Sequence, residues 1–116
     1  MADADPEEVA VAVFAALADS SRRAILAELA ARGPATATDL ADRLPISRQA
    51  IAKHLALLSG AGLVRAVPAE RRRVRYHLEP APMATARSFL AVLARDWDRT
   101  LHSLGAYLDR DQEPQP

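Results

Sequence analysis

The sequence predicts a mostly helical chain with a small β-hairpin wing, a winged helix-turn-helix in the order α-α-α-α-β-β-α that dimerises through its terminal helices. Three observations carry the prediction. Two short amphipathic helices joined by a tight turn are written into residues 36–60. An Arg-rich stretch at 63–78 changes to a two-residue alternation. A long apolar seam then recurs at spacings of three and four from Leu90 to Leu108. The 116 residues, half of them apolar, suit a single domain spanning 1–116, since domains commonly run about 100 to 150 residues.

Composition narrows the function classes. With no cysteine there is no disulfide framework, thiolate metal ligand or redox thiol, which fits a reducing compartment. No basic-then-apolar leader and no apolar run of about 18 residues is present, so a cytoplasmic protein without membrane contact is expected. Net charge is zero, but it is unevenly distributed. Residues 1–21 carry five acids and no base, and residues 43–77 hold eight basic residues against Glu70 alone, a net charge of +7. Such a segment suits a nucleic-acid backbone, and a solvated charged face is the alternative.

The elements follow in order. Asp5-Pro6-Glu7-Glu8 starts a helix with an N-cap, a proline in the first turn and acids at the positive end of the dipole. Val9, Val13, Phe14 and Leu17 form its apolar stripe, and the helix is bounded at about 6–18. Asp19 or Ser20 opens a second helix with Ile25, Leu26 and Leu29 inward, which Gly33-Pro34 ends. Arg22 and Arg23 in its first turn oppose the dipole, so a phosphate, an acidic neighbour or a surface ion pair is expected to hold them.

Thr36 and Asp39 make a capping box for the third helix, whose apolar face is Leu40, Ala41 and Leu44 and which Pro45 ends. Ser47 caps the fourth. Ile51, Leu55 and Leu58 give that helix one buried side, while Arg48, Gln49, Ala52, Lys53 and Ala56 share the other. Small residues at close approach, with Arg, Gln and Lys to reach base edges and phosphates, are what a major-groove reader requires. Gly60 and Gly62 end the helix. Strands follow at 63–67 and 74–78, with Val74, Tyr76 and Leu78 on one side and Arg73, Arg75 and His77 on the other. Because the tip, Pro68 to Arg72, lacks an Asn-Gly pair, a longer, mobile loop is expected. Arg71, Arg72, Arg73 and Arg75 suit a wing on a phosphate backbone or in a minor groove. Edge protection would explain one or two arginines better than four.

Pro80 and Pro82 separate the wing from a final helix expected at about 82–108. Its seam of Leu90, Leu93, Trp97, Leu101, Leu104 and Leu108, flanked by Phe89 and Tyr107, outlasts what a small core can cover. With Val9, Val13, Phe14 and Leu17 it makes the expected homodimer interface. The polar tail from Asp109 is expected to be disordered.

Three stretches also resemble the ArsR/SmtB family of bacterial winged-helix repressors: Leu17-Ala18-Asp19-Ser20-Ser21-Arg22-Arg23-Ala24-Ile25-Leu26, Ile46-Ser47-Arg48-Gln49-Ala50-Ile51-Ala52-Lys53-His54-Leu55 and Gly62-Leu63-Val64. The resemblance covers about residues 10–108. It implies a homodimeric repressor that binds a palindromic, double-stranded operator in its own or a neighbouring operon. Candidate DNA contacts are Ser47, Arg48, Gln49, Ala52, Lys53, His54, Arg71, Arg72, Arg73 and Arg75. His54, where the family usually has a histidine, is open to a phosphate contact or a half-buried packing role.

The metal-responsive pattern of that family is absent. Its third-helix site needs cysteines, where this chain has Ala37-Thr38-Asp39-Leu40-Ala41. Its C-terminal-helix site uses spaced acids and histidines, where this chain has Asp96, Asp98, Asp109 and Gln112. Zinc favours nitrogen and sulfur ligands, so no metal and no cofactor are expected, and His77 and His102 are read as surface or boundary residues. A winged helix can also serve as a protein-interaction module that never touches DNA. The arginine density of the wing argues against that use. No phosphate loop, nucleophile motif or convergent carboxylate pair points to an enzyme.

Overall fold

In each of the first four helices a short oxygen-bearing side chain receives the amide groups left free at the helix start. Asp5 accepts from the Glu7 N–H at 3.0 Å ahead of α1 (Pro6–Leu17). Asp19 accepts from Ser21 at 2.8 Å and Arg22 at 3.1 Å ahead of α2 (Ser20–Arg32). Thr36 accepts from Asp39 at 3.1 Å, while the Thr36 N–H donates to the Asp39 carboxylate at 3.0 Å, ahead of α3 (Ala37–Arg43). Ser47 accepts from Ala50 at 3.1 Å ahead of α4 (Arg48–Gly60). The computed structural model describes residues 5–112.

Gly60 is the last residue of α4, Ala61 caps the helix, and Gly62 supplies the left-handed turn beyond it. There φ is 75°, the Gly62 N–H reaches the Ser59 carbonyl at 3.0 Å, and the Leu63 N–H reaches the Leu58 carbonyl at 3.0 Å. This left-handed ending turns the chain sharply and drives Leu63 into the core.

The hairpin pairs β2 (Val64–Pro68) with β3 (Val74–Leu78), and a third strand, β1 (Ala35–Thr36), adds to the far side of β3. Sequence pattern predicted two strands only. At two residues β1 is too short for any alternation, and it exists because Ala35 and Thr36 pair with Tyr76 and Arg75. The predicted apolar side of β3 is also incomplete. Tyr76 packs on the core, but Val74 and Leu78 lie at the strand ends and remain exposed.

The wing tip departs from expectation as well. The chain turns tightly over Glu70–Arg72, with the Arg73 N–H donating to the Glu70 carbonyl at 3.1 Å and the Ala69 N–H to the Arg73 carbonyl at 2.8 Å. Arg71 and Arg72 take φ of 59° and 61°. These are the mirror-image turn angles that match hairpin twist and normally select Asn or Gly. Strand pairing imposes them here, against a left-handed penalty of roughly 1–2 kcal/mol per residue.

The core gathers Val13 from α1, Ile25 from α2, Leu40 from α3, Ile51, Leu55 and Leu58 from α4, and Leu63, all fully or almost fully buried. The last helix, α5, runs Pro80–Gln112, 33 residues or about 50 Å at 1.5 Å per residue. It begins earlier than expected because Pro80 and Pro82 occupy its first turn, where no amide hydrogen is required, rather than preceding it. It also ends later, taking in Asp109 to Gln112 of the predicted tail; residues 113–116 and 1–4 lie outside the described residues.

Replacing Asp39 by alanine removes one half of the capping box. It should lower unfolding stability by about 1 kcal/mol in a urea titration. The Thr36 N–H foremost, then the Thr36 hydroxyl, hold the Asp39 carboxyl below its ordinary 3.8, and the Arg22 N–H does the same most strongly for Asp19. Because both folded values are depressed, the stability these carboxylates supply is fully present above 3.8. It is lost as pH falls through the lower folded values. Stability curves for wild type and Asp39→Ala should therefore run parallel from about pH 7 to about pH 5 and converge only below the ordinary carboxylate range.

Candidate nucleic-acid interface

The amphipathic division of α4 sets the first surface. Burying Ile51, Leu55 and Leu58 turns Ser47, Arg48, Gln49, Ala52, Lys53 and Ala56 outward, all exposed. Arg48 and Lys53 form no ion pair with any described residue, so both cations are available. The Ser47 hydroxyl accepts the Ala50 N–H and keeps its own hydrogen to donate. His54 sits at the boundary. Its ring is half-buried, and its Nδ1 is enclosed without a hydrogen-bond partner among the described residues. Its position beside the N-cap of α2 is felt electrostatically by Asp19. Only part of the ring faces outward.

The wing tip supplies the second surface. Arg71, Arg72 and Arg73 are exposed at the turn, and the left-handed backbone of the first two directs the chain around a tight corner. Arg75 differs from them. It lies within β3, half-buried, with Glu70 at 3.7 Å. Arg65 on β2 is paired with Glu79. Among the described residues the wing thus divides its cations into three without an ion-pair partner at the tip and two held by nearby acids.

Arg22 and Arg23 have a different task from the ones their position suggested. Arg22 donates to the carbonyls of Ala16 at 2.8 Å and Ala15 at 3.2 Å, and Arg23 donates to that of Leu17. They close the C-terminal end of α1, which has no basic residue in its own last turn. A cation there satisfies free carbonyls and meets the negative end of the dipole, offsetting its poor placement in α2.

A second candidate surface is apolar. Leu90, Leu93, Trp97, Leu101, Leu104, Tyr107 and Leu108 are all exposed along α5, Trp97 at 64%. Phe89 is half-buried against Phe14, ring centroids 6.5 Å apart. Val13 belongs to the protomer's own core at 0% exposure, and Val9 and Leu17 pack partly against that core. Val13 therefore leaves the expected interface. Helix α1 faces both α2 and α5, so its stripe is wider than one contact and its centre goes inside. Val11, not singled out from the sequence, is 58% exposed on α1 instead. Among the described residues no three His, Asp or Glu side chains cluster to hold a metal ion, and Asp96 bonds to Arg99 at 2.6 Å. No described helix is long and apolar enough to cross a membrane.

A family model described as a helix-turn-helix domain matches residues 17–67. The HTH-type transcriptional regulator Rv2034 of Mycobacterium tuberculosis is 43% identical over 96 residues, 83% of this chain and 85% of that protein. Among solved structures, an ArsR-like transcriptional regulator from Rhodococcus sp. RHA1 is 39% identical, with a TM-score of 0.75 over 94% of this chain and 97% of the other. The crystal structure of an ArsR family transcriptional regulator is 32% identical, with a TM-score of 0.69 over 84% of this chain and 97% of the other.

The exposed tip arginines generate a salt-dependence prediction. Arg72→Ala should weaken binding to any duplex. It should also reduce the slope of log affinity against log salt by about 0.9, the amount carried by one neutralised phosphate. Fluorescence anisotropy at a series of salt concentrations measures it; an unchanged slope would remove the wing tip from the DNA contacts.

Proposed function

Because the chain belongs to the ArsR/SmtB family of winged helix-turn-helix, DNA-binding transcriptional regulators, we propose that it is a homodimeric repressor of a palindromic operator in its own or a neighbouring operon. The observation that carries this reading is the exposed polar face of α4 beginning at Ser47, whose Arg48 and Lys53 form no ion pair with any described residue. Arg48 and Gln49 in the first turn reach base edges, Ala52 and Ala56 permit close approach, and Lys53 meets a phosphate. Arg71, Arg72 and Arg73 extend the contact along the backbone, with Arg75 and His54 contributing from half-buried positions. None of this is catalysis; the protein is a regulator and not an enzyme.

The exposed stripe of α5 supports the dimer. Each turn from Leu90 to Leu108 offers a large apolar side chain to solvent, and contiguous exposed surface of that kind marks an association site. Pairing two copies also sets two recognition helices to match two half-sites, which is why operator symmetry mirrors protein symmetry. The reading includes no metal effector, because Ala37 to Ala41 contain no cysteine and the acids of α5 offer oxygen ligands alone.

Two measurements test the halves separately. Gln49→Ala and Arg48→Ala should each lower operator affinity by an amount equivalent to about 1–3 kcal/mol, with scrambled-duplex affinity nearly unchanged. An unaltered operator-to-scrambled ratio in both would move specificity out of α4. Leu101→Asp should place an unpaired charge in the interface and convert the wild-type dimer to monomer or unfolded chain in sedimentation. Wild type sedimenting as a monomer at micromolar concentration would refute the interface.

A further inference from the structure

A groove with a volume of about 480 Å³ lies where α2, the end of β3 and the first turns of α5 meet. Leu26 and Leu63, both buried, form its base, and the exposed Leu78 and Met83 form its sides. Neither the recognition surface nor the α5 stripe uses it. Its size falls within the several hundred Å³ typical of small-molecule sites, which combine apolar walls with a few orienting polar groups.

Two charged side chains stand at its rim. Glu79 is engaged, its carboxylate paired with Arg65 and its N–H donating to the Leu63 carbonyl at 2.9 Å. Arg87 is exposed and makes no salt bridge with any described residue. It sits four residues beyond Met83 and three beyond Ala84, so these side chains neighbour one another on α5. An apolar trough with one free guanidinium at its edge is complementary to a molecule with an apolar body and a planar anion, which Arg can meet with two parallel hydrogen bonds.

We propose that this groove binds an amphipathic carboxylate, its hydrocarbon against Leu26, Leu63, Leu78 and Met83 and its carboxylate on Arg87, and that occupation alters DNA affinity. The coupling is mechanical. The groove is bounded by α2, which packs on α4, by a strand of the wing, and by the helix proposed to join the two subunits. A molecule lodged there favours one spacing of α5 against the DNA-reading unit over another. It shifts affinity by its differential binding to the two. This regulatory half rests on the DNA-binding dimer proposed above.

Calorimetry on the DNA-free protein tests the site, with decanoate and decyltrimethylammonium as probes of one chain length and opposite head charge. Decanoate should saturate at one molecule per chain and bind more tightly than the cation. Arg87→Ala should weaken decanoate by about tenfold, the loss of a charge-assisted contact, and bind the cation no more weakly than wild type does. Ala84→Trp, at an exposed position on the groove wall, should abolish both. Absence of saturable binding to wild type, including through coverage of the groove by a second copy, overturns the proposal. Binding indifferent to both substitutions does so too, because it places the probe on the α5 stripe. Anisotropy with the operator then tests the coupling: saturating decanoate should change wild-type affinity by about fivefold or more and leave Ala84→Trp unaffected. Decanoate bound as expected with operator affinity unmoved overturns the regulatory half. Ligand-free protein that binds no operator refutes the DNA reading, while the calorimetry still decides the site.

Discussion

Thr36 is where the helix-turn-helix and the wing are fastened together. It is the only buried polar residue among those described, at 4% exposure. Its backbone lies opposite Arg75 in the sheet, its N–H meets the Asp39 carboxylate, and its hydroxyl receives the Asp39 N–H. The same residue thus ends β1 and begins α3. Since α3 packs on α4, this reciprocal pair of hydrogen bonds links α4 to the wing through α3, beside the direct packing of α4 on β2. A buried polar group left without partners costs about 1–3 kcal/mol, so the pairing is enforced from both sides.

The rest of the molecule divides into a part that closes on itself and a part that does not. Around Val13, Leu40, Ile51 and Leu58 the helices and sheet close over a buried core, while Val11, Leu57, Val74 and Leu78 stay exposed at its margins. Along α5 only the beginning is anchored, by Ala86 in the core and Phe89 against Phe14. Beyond Phe89 the helix projects, and the largest dimension of the protein reaches 83 Å. A helix carrying exposed leucines and a tryptophan over several turns is an incomplete structure in water. The proposed second copy completes it by supplying the apolar surface the protomer lacks.

Arginine shows how context sets the work of one residue type. Arg22 and Arg23 close the end of α1 through its free carbonyls. Arg65 and Arg75 are drawn to acids within the wing region. Arg71, Arg72 and Arg73 form no ion pair with any described residue, apart from the field that Arg73 exerts on Asp39. A net charge of zero therefore coexists with a concentrated cationic tip, because the balancing acids lie mainly in the terminal segments.

By itself the sequence determined the first four helices, their N-caps and the division of α4, since these depend on short-range chemistry. A carboxylate or hydroxyl reaches amides two or three residues on, and the helical period sorts Ile51, Leu55 and Leu58 from Arg48, Gln49 and Lys53 wherever the helix is placed. It also identified the family, through the joint order of motifs that the comparisons reflect. Tertiary structure decided whatever depends on a distant neighbour. The strand at Ala35 and Thr36 exists through Tyr76 and Arg75, and the left-handed arginines exist because strand pairing overrides local preference. Val13 is interior because α1 is covered on more than one side. Arg22 and Arg23 found carbonyls of the preceding helix, six or seven residues back. A periodic pattern states which face of an element is apolar, but only the assembled fold says how much of that face its own chain covers. Here that physical difference separates a buried Val13 from an exposed Trp97.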